Sequence, residues 1–295
     1  MLRAALVFTL ALLSSAAASA VLIDGSDGSA DVAPFPVAAL DHVGARGGLS
    51  AVYLGHGVVL TANHVGPGDV DFGGTVYPYL PGTEVRLTNP DGTYADLLMF
   101  EIYPRPDLPD LPIVQTRPVY ASLLLVAGNG LDRGAGLWWD PNGTSPPGMT
   151  AGYSWAPAGH LRWGFNNLEV LPQGRVFNTQ VFGSFFDAGQ PLPEAQAVVG
   201  DSGGAAFSLT VAGFSAEWQL AGVIVAIVQY SGQPANTSFF GQRTYYADLA
   251  YYRPQLVDAV ELPEPGAGFE AGLSLVALLA VRRRAGRPGA ARAGR

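Results

Sequence analysis

Glycine and proline interrupt this chain so often that long helices are disfavoured throughout. There are 38 glycines and 23 prolines among 295 residues, and each is a local turn signal. Between them lie short apolar stretches. Residues 37–40, 51–54, 58–60 and 97–102 read as strands in the first part of the body, and 119–127, 168–171, 181–186, 205–209 and 220–229 in the second. Abundant Val, Thr, Tyr and Phe suit a pleated surface better than a helix. Many short strands at close spacing predict an all-β body, built as barrels or as a sandwich. Asn89-Pro90-Asp91-Gly92 reads as a hairpin tip. Residues 128–159, rich in Gly, Pro and Trp, read as long loops. After Pro254, residues 255–260 fit one or two helical turns with proline at the first position.

The chain is 48% hydrophobic and only 14% charged, the balance of a protein with a sizeable core and not of a disordered one. It has no cysteine, which excludes disulfides, thiolate metal sites and a cysteine nucleophile. It has no lysine either. Residues 21–263 carry nine arginines against 22 acidic side chains, a formal charge of −13, so nucleic acid is not an expected partner.

Both ends read as addresses. Residues 1–20 have the form of a secretory signal: Arg3, an apolar run over 4–13, and Ala18-Ser19-Ala20 as the cleavage site. At the other end, Pro263-Glu264-Pro265 precedes an apolar run over 271–281 and then Arg282-Arg283-Arg284. This order of parts resembles the PEP-CTERM sorting signals of Gram-negative bacteria. The resemblance implies an exosortase-like processing enzyme as partner, transient membrane contact through the C-terminal segment, and export to the cell surface or beyond. Glu270 beside the apolar run and the long basic tail depart from that pattern.

Val199-Gly200-Asp201-Ser202-Gly203-Gly204 is the most informative stretch. A serine hydroxyl attacks only when a base takes its proton. The tetrahedral intermediate then needs N–H donors aimed at its oxygen, and a sharp glycine-containing turn supplies them. Gly200 and Ser202 are assigned as those donors. The segment also fits G-x-S-x-G, but that elbow needs a histidine after the serine. The four histidines, His42, His56, His64 and His160, all precede Ser202. The order His, Asp, Ser remains open.

Val58-Val59-Leu60-Thr61-Ala62-Asn63-His64 is a β-rich run ending in a small-residue turn that carries a histidine, and Asp96-Leu97-Leu98-Met99-Phe100 is a carboxylate at the head of an apolar strand. These segments resemble the L-T-A-A-H and D-[IL]-A-[LV]-[LIV] motifs of the trypsin-like (chymotrypsin) family of serine proteases, with Asn63 and Leu98 as departures. The resemblance covers most of residues 21–260. It implies His64, Asp96 and Ser202 as catalytic residues of an exported serine endopeptidase acting on protein or peptide substrates. The implied fold is two antiparallel six-stranded β-barrels, over 21–118 and 119–260, with a short C-terminal helix. Asp110 is a rival to Asp96 with better spacing but with Pro112 in its strand, where a ladder donor is lost; Asp107 is weaker still. No cofactor and no metal are expected, since no H-E-x-x-H occurs.

Two further roles are implied by the resemblance alone. Gln196, six residues before Ser202, falls at the base of the specificity pocket, where a neutral side chain argues against a preference for Arg or Lys. Asp201 matches an aspartate that pairs with a new N-terminal amine, which cleavage after Ala20 would place on Val21. A non-catalytic binding protein on the same fold and an esterase with the same three residues are the competing readings.

Overall fold

The computed structural model describes residues 21–24, 37–139, 152–157, 160–190, 194–212 and 215–261. The secretory signal expected over 1–20 and, Glu261 apart, the sorting tail expected over 261–295 lie outside the described residues. The chain is mostly β, as its composition predicts. A two-residue strand, β1 (Leu22–Ile23), comes first. Then follow β2 (Val43–Arg46), β3 (Leu49–Gly55), β4 (Val58–Thr61), β5 (Val70–Phe72), β6 (Thr75–Tyr77), β7 (Val85–Thr88) and β8 (Tyr94–Glu101). The second part holds β9 (Leu123–Gly128), β10 (Asp132–Leu137), β11 (Gly152–Ala156), β12 (Arg162–Asn167), β13 (Val181–Phe185), β14 (Ala195–Gln196), β15 (Ala205–Ala212), β16 (Ser215–Val228), β17 (Thr237–Phe239) and β18 (Arg243–Asp248), and a helix, α1 (Leu249–Glu261), follows.

Two antiparallel sheets dominate. One has the order β6-β5-β2-β3-β4-β8-β7 and the other β12-β9-β15-β16-β18-β13. The expectation was six strands in each; the first has seven, because the short β5–β6 hairpin extends a sheet of five at the edge of β2. The side-chain period of two sorts the core. Val52, Leu54, Leu60, Leu97 and Met99 of the first sheet share one buried cluster with Leu125, Ala127, Ala205, Phe207, Val223 and Tyr245 of the second. The intervening residues Ala51, Tyr53, Val59, Leu98 and Phe100 build a separate cluster on the first sheet's other face, and Leu124, Val126, Ala206, Ile224 and Tyr246 build one on the second's. Both faces of each sheet are therefore covered. That is why the strands read as continuous apolar runs and not as alternating ones. Each fully buried Val, Leu or Phe contributes about 1.5–3 kcal/mol of transfer free energy, and no disulfide is needed.

Four sequence expectations are corrected. Residues 37–40 are not a strand: Ala38–His42 form a 3-10 turn leading into β2. Residues 168–171 make only an isolated bridge, Val170 with Gly183. The region 128–159 is not loop throughout, because β10 and β11 join β17 in a three-stranded sheet. The helix begins at Leu249, and Pro254 lies inside it. Pro254 costs the helix one donor, and burial of Tyr252 and Leu256 in the core holds the helix in spite of it.

Candidate active site

His64 stands in the turn after β4. Val65 N–H donates to the Ala62 carbonyl (3.0 Å) and Gly66 N–H to that of Asn63 (3.1 Å), which tightens the chain just beyond the strand. Arg46 holds the following stretch by bonding the Pro67 carbonyl. β4 pairs with β8 so that Thr61 faces Leu98. Two residues back along β8 lies Asp96, opposite the turn that carries His64. Its carboxylate accepts twice from that one residue: from His64 Nδ1 at 2.7 Å and from the His64 backbone N–H at 3.0 Å. The pair fixes both the ring and the main chain beneath it. The rival Asp110 is elsewhere, accepting from His56 Nε2 at 3.1 Å beside the β3–β4 hairpin tip. His42 is buried, with Nδ1 bonded to the Tyr53 carbonyl.

The carboxylate of Asp96 raises the His64 pKa, and partial burial opposes it less strongly. Folded His64 should therefore titrate above the ordinary imidazole value of about 6.5. An NMR titration of its ring is expected to show this. Asp96→Asn should bring the midpoint down, because both the hydrogen bond and the negative charge are then gone.

Ser202 reaches this region through its main chain. Its carbonyl accepts from Ser50 N–H of β3 at 2.9 Å. Ser50 Oγ donates to the Gly200 carbonyl (3.1 Å) and accepts from Asn129 N–H (2.8 Å), while Thr61 Oγ1 donates to the Ser50 carbonyl (2.8 Å). The serine turn is thus docked on β3 and on the end of β4, three residues before His64. Within the turn, the N–H groups of Asp201, Gly203 and Gly204 are bonded to Val198, Ile224 and Asp201 carbonyls. Those of Gly200 and Ser202 have no partner among the described residues, so the two donors assigned to the oxyanion are the two left over. The Ser202 hydroxyl also makes no hydrogen bond among them.

Close approach dictates glycine at 203. It sits at φ +84°, and a Cβ there would strike the Ser50 carbonyl oxygen and Thr61 Oγ1. Gly203→Ala is expected to lower stability by about 2–3 kcal/mol, from left-handed strain plus overpacking, as read by a denaturant melt.

Asp201 is fully buried. Its carboxylate accepts from Val198 N–H (2.7 Å), Gly130 N–H (2.8 Å) and the Val21 N–H. These three donors do not offset the loss of water, and burial pushes its pKa up to about 7. Val21 is buried and held at φ +55°, with β1 behind it paired to β14, Leu22 facing Gln196. Gln196 itself is 1% exposed; its Nε2 donates to the Ala197 carbonyl, and its Oε1 has no partner among the described residues.

Sequence reasoning missed Ser50, Asn129 and Thr179. The last accepts from Asp96 N–H through its hydroxyl at 2.8 Å, holding the carboxylate's strand from the second sheet's side. None of the three stands in a motif; each is an ordinary polar residue whose role appears only on folding.

No family model matches the sequence, and no curated protein matches it. Among solved structures, human heparin binding protein is similar at 15% identity and a TM-score of 0.50, over 79% of this chain and 96% of that one. A kallikrein-related peptidase 10 complex with Zn2+ is similar at 14% identity and a TM-score of 0.46, over 78% of this chain and 99% of that one. Rv3671c from M. tuberculosis H37Rv is similar at 14% identity and a TM-score of 0.43, over 77% and 91%. The likeness to heparin binding protein identifies the fold as chymotrypsin-like, and at this identity it speaks of fold alone.

Proposed function

We propose that this chain, on the chymotrypsin-like fold, is an exported serine endopeptidase. Ser202 attacks the peptide carbonyl and His64 takes its proton, later delivering it to the leaving amine. Asp96 holds the imidazole in the tautomer that leaves Nε2 free to accept, and the Gly200 and Ser202 N–H groups receive the oxyanion. The observation that carries this reading is the pair of hydrogen bonds from His64 to Asp96, at 2.7 and 3.0 Å, beside the strand end against which the Ser202 turn is docked. A binding protein has no need of a histidine so held or of two idle N–H donors beside one serine.

Gln196 is assigned to the base of the primary pocket, where its unbonded Oε1 offers a neutral acceptor. Export follows from the two terminal segments, with release of residues 1–20 leaving Val21 first. A neighbour in fold is named for binding heparin, but a body with 22 acidic residues against nine arginines is a poor host for an anionic polymer.

The test is labelling of the purified protein with a fluorophosphonate probe, with Ser202→Ala as control. Labelling that depends on Ser202, together with cleavage of a protein substrate, is the expected result. No such labelling would leave the binding protein standing, and turnover of small esters without any peptide cleavage would make it an esterase.

A further inference from the structure

A cavity of about 770 Å3 adjoins the serine turn. Two of its lining residues are linked to that turn through buried Ser50. Asn129 bonds Ser50 Oγ, which in turn bonds the Gly200 carbonyl, and Ala45 of β2 is the cross-strand partner of Ser50. The walls are partly apolar, with Phe72 and Leu108 among them, and three carboxylates face the space: Asp41, Asp71 and Asp107. Asp71 uses one oxygen on the Gly74 N–H at 2.7 Å. Asp41 and Asp107 have no hydrogen bond or ion pair among the described residues, and no arginine stands among the described lining residues.

An independent feature points to a ligand. Asn129 is only 8% exposed, yet its Nδ2 has no hydrogen-bond partner among the described residues. A buried amide donor without an acceptor is costly unless something arrives to accept from it. The chemistry on offer is therefore a donor for a carbonyl, apolar walls, and unpaired negative charge. A metal ion fits poorly, since no three acidic or histidine side chains converge to hold one among the described residues. A peptide segment with an arginine or lysine matches this chemistry: a backbone carbonyl for Asn129, a methylene stem for the apolar walls, and a cation for the carboxylates of Asp41 and Asp107.

We infer that this cavity is an accessory subsite for a basic side chain of the substrate, a few residues from the bond cleaved. Selection for positive charge arises here and not at the neutral Gln196. The inference rests on the endopeptidase reading and deepens it.

The experiment uses the full-length protein and peptides with one fixed cleavable bond, scanning Arg, Gln and Glu through each neighbouring position on both sides. One position should favour Arg over Gln by about tenfold in kcat/KM at low salt, as two partly exposed charge pairs would give. The ratio should fall towards one in 0.5 M salt and in the Asp41→Asn/Asp107→Asn double variant. Asp107→Arg should turn the preference at that position towards Glu. The same peptides binding to Ser202→Ala, read by fluorescence anisotropy, should show the same ratio without any turnover. That arm separates the two readings: absent probe labelling sinks the endopeptidase alone, whereas indifference to Arg at every position in the anisotropy arm overturns the subsite. An Arg preference that survives the double variant overturns it equally.

Discussion

Replacing Ser202 with alanine is expected to lower peptide turnover by about a million-fold while leaving the melting midpoint nearly unchanged. The two halves of this expectation come from different atoms. Catalysis as proposed needs the hydroxyl, because no other nucleophile lies in the turn and water held there lacks its positioning. Stability does not need it, since the Ser202 hydroxyl makes no hydrogen bond among the described residues. The contacts that dock the turn are made by main chain: Ser50 N–H to the Ser202 carbonyl and Gly203 N–H to the Ile224 carbonyl, both at 2.9 Å. Alanine keeps them all. His64→Ala should fall about as far, and the double variant no further, because the two side chains act in one proton transfer and their losses do not add. Steady-state kinetics on one peptide, with a thermal melt of each variant, decides the matter. A Ser202→Ala protein that retains a tenth of its turnover would remove the nucleophile from the scheme.

What the sequence made legible was local. His64 was marked by a small-residue turn closing an apolar run, and Asp96 by its place at the head of a strand. Spacing favoured Asp110, but strand context favoured Asp96, and it is Asp96 that lies within 2.7 Å of the ring. Strand context succeeded because pairing of β4 with β8 sets the distance, whereas the length of chain between them only sets the loop. The failures were matters of distant pairing. β11 reads as loop because its surroundings are rich in Gly, Pro and Trp, and pairing on both edges, with β10 and with the distant β17, makes it a strand, Ser154 standing opposite Thr237. Residues 37–40 have the apolar content of a strand and no neighbour to pair with, so they coil into the turn before β2. Ser50 and Asn129 gave no signal at all, since a lone hydroxyl in a strand and a lone carboxamide before a glycine are commonplace until a fold brings a serine turn against them.

A chain that begins at Val21 is expected to be more active, by about a hundredfold, and more stable at neutral pH than one that retains Ala20. In the extended chain the Val21 nitrogen is an amide, and Asp201 is a fully buried carboxyl with a pKa pushed up to about 7 and no cation beside it among the described residues. Its unfolded value is about 3.9. Between the two, the folded protein binds more protons than the unfolded one. Its advantage is therefore complete below about pH 4 and is lost as pH rises towards 7. Three pH units at about 1.4 kcal/mol each bound the loss near 4 kcal/mol. Cleavage after Ala20 turns the same nitrogen into an ammonium already seated on the carboxylate, which then ionises at little cost. It also deletes the preceding carbonyl, relieving a β-branched residue held at φ +55°. The mature form should hold its stability from about pH 5 to pH 8 and lose it only as the amine deprotonates. Activity is expected to follow because Asp201 lies between Gly200 and Ser202, so a shifted carboxylate moves both proposed oxyanion donors, each worth about a hundredfold or more. Denaturant melts of the two forms across pH 4–8, with kinetics at pH 7.5, test this. Equal activity and parallel pH curves would show that the pairing at Asp201 has no part in forming the site.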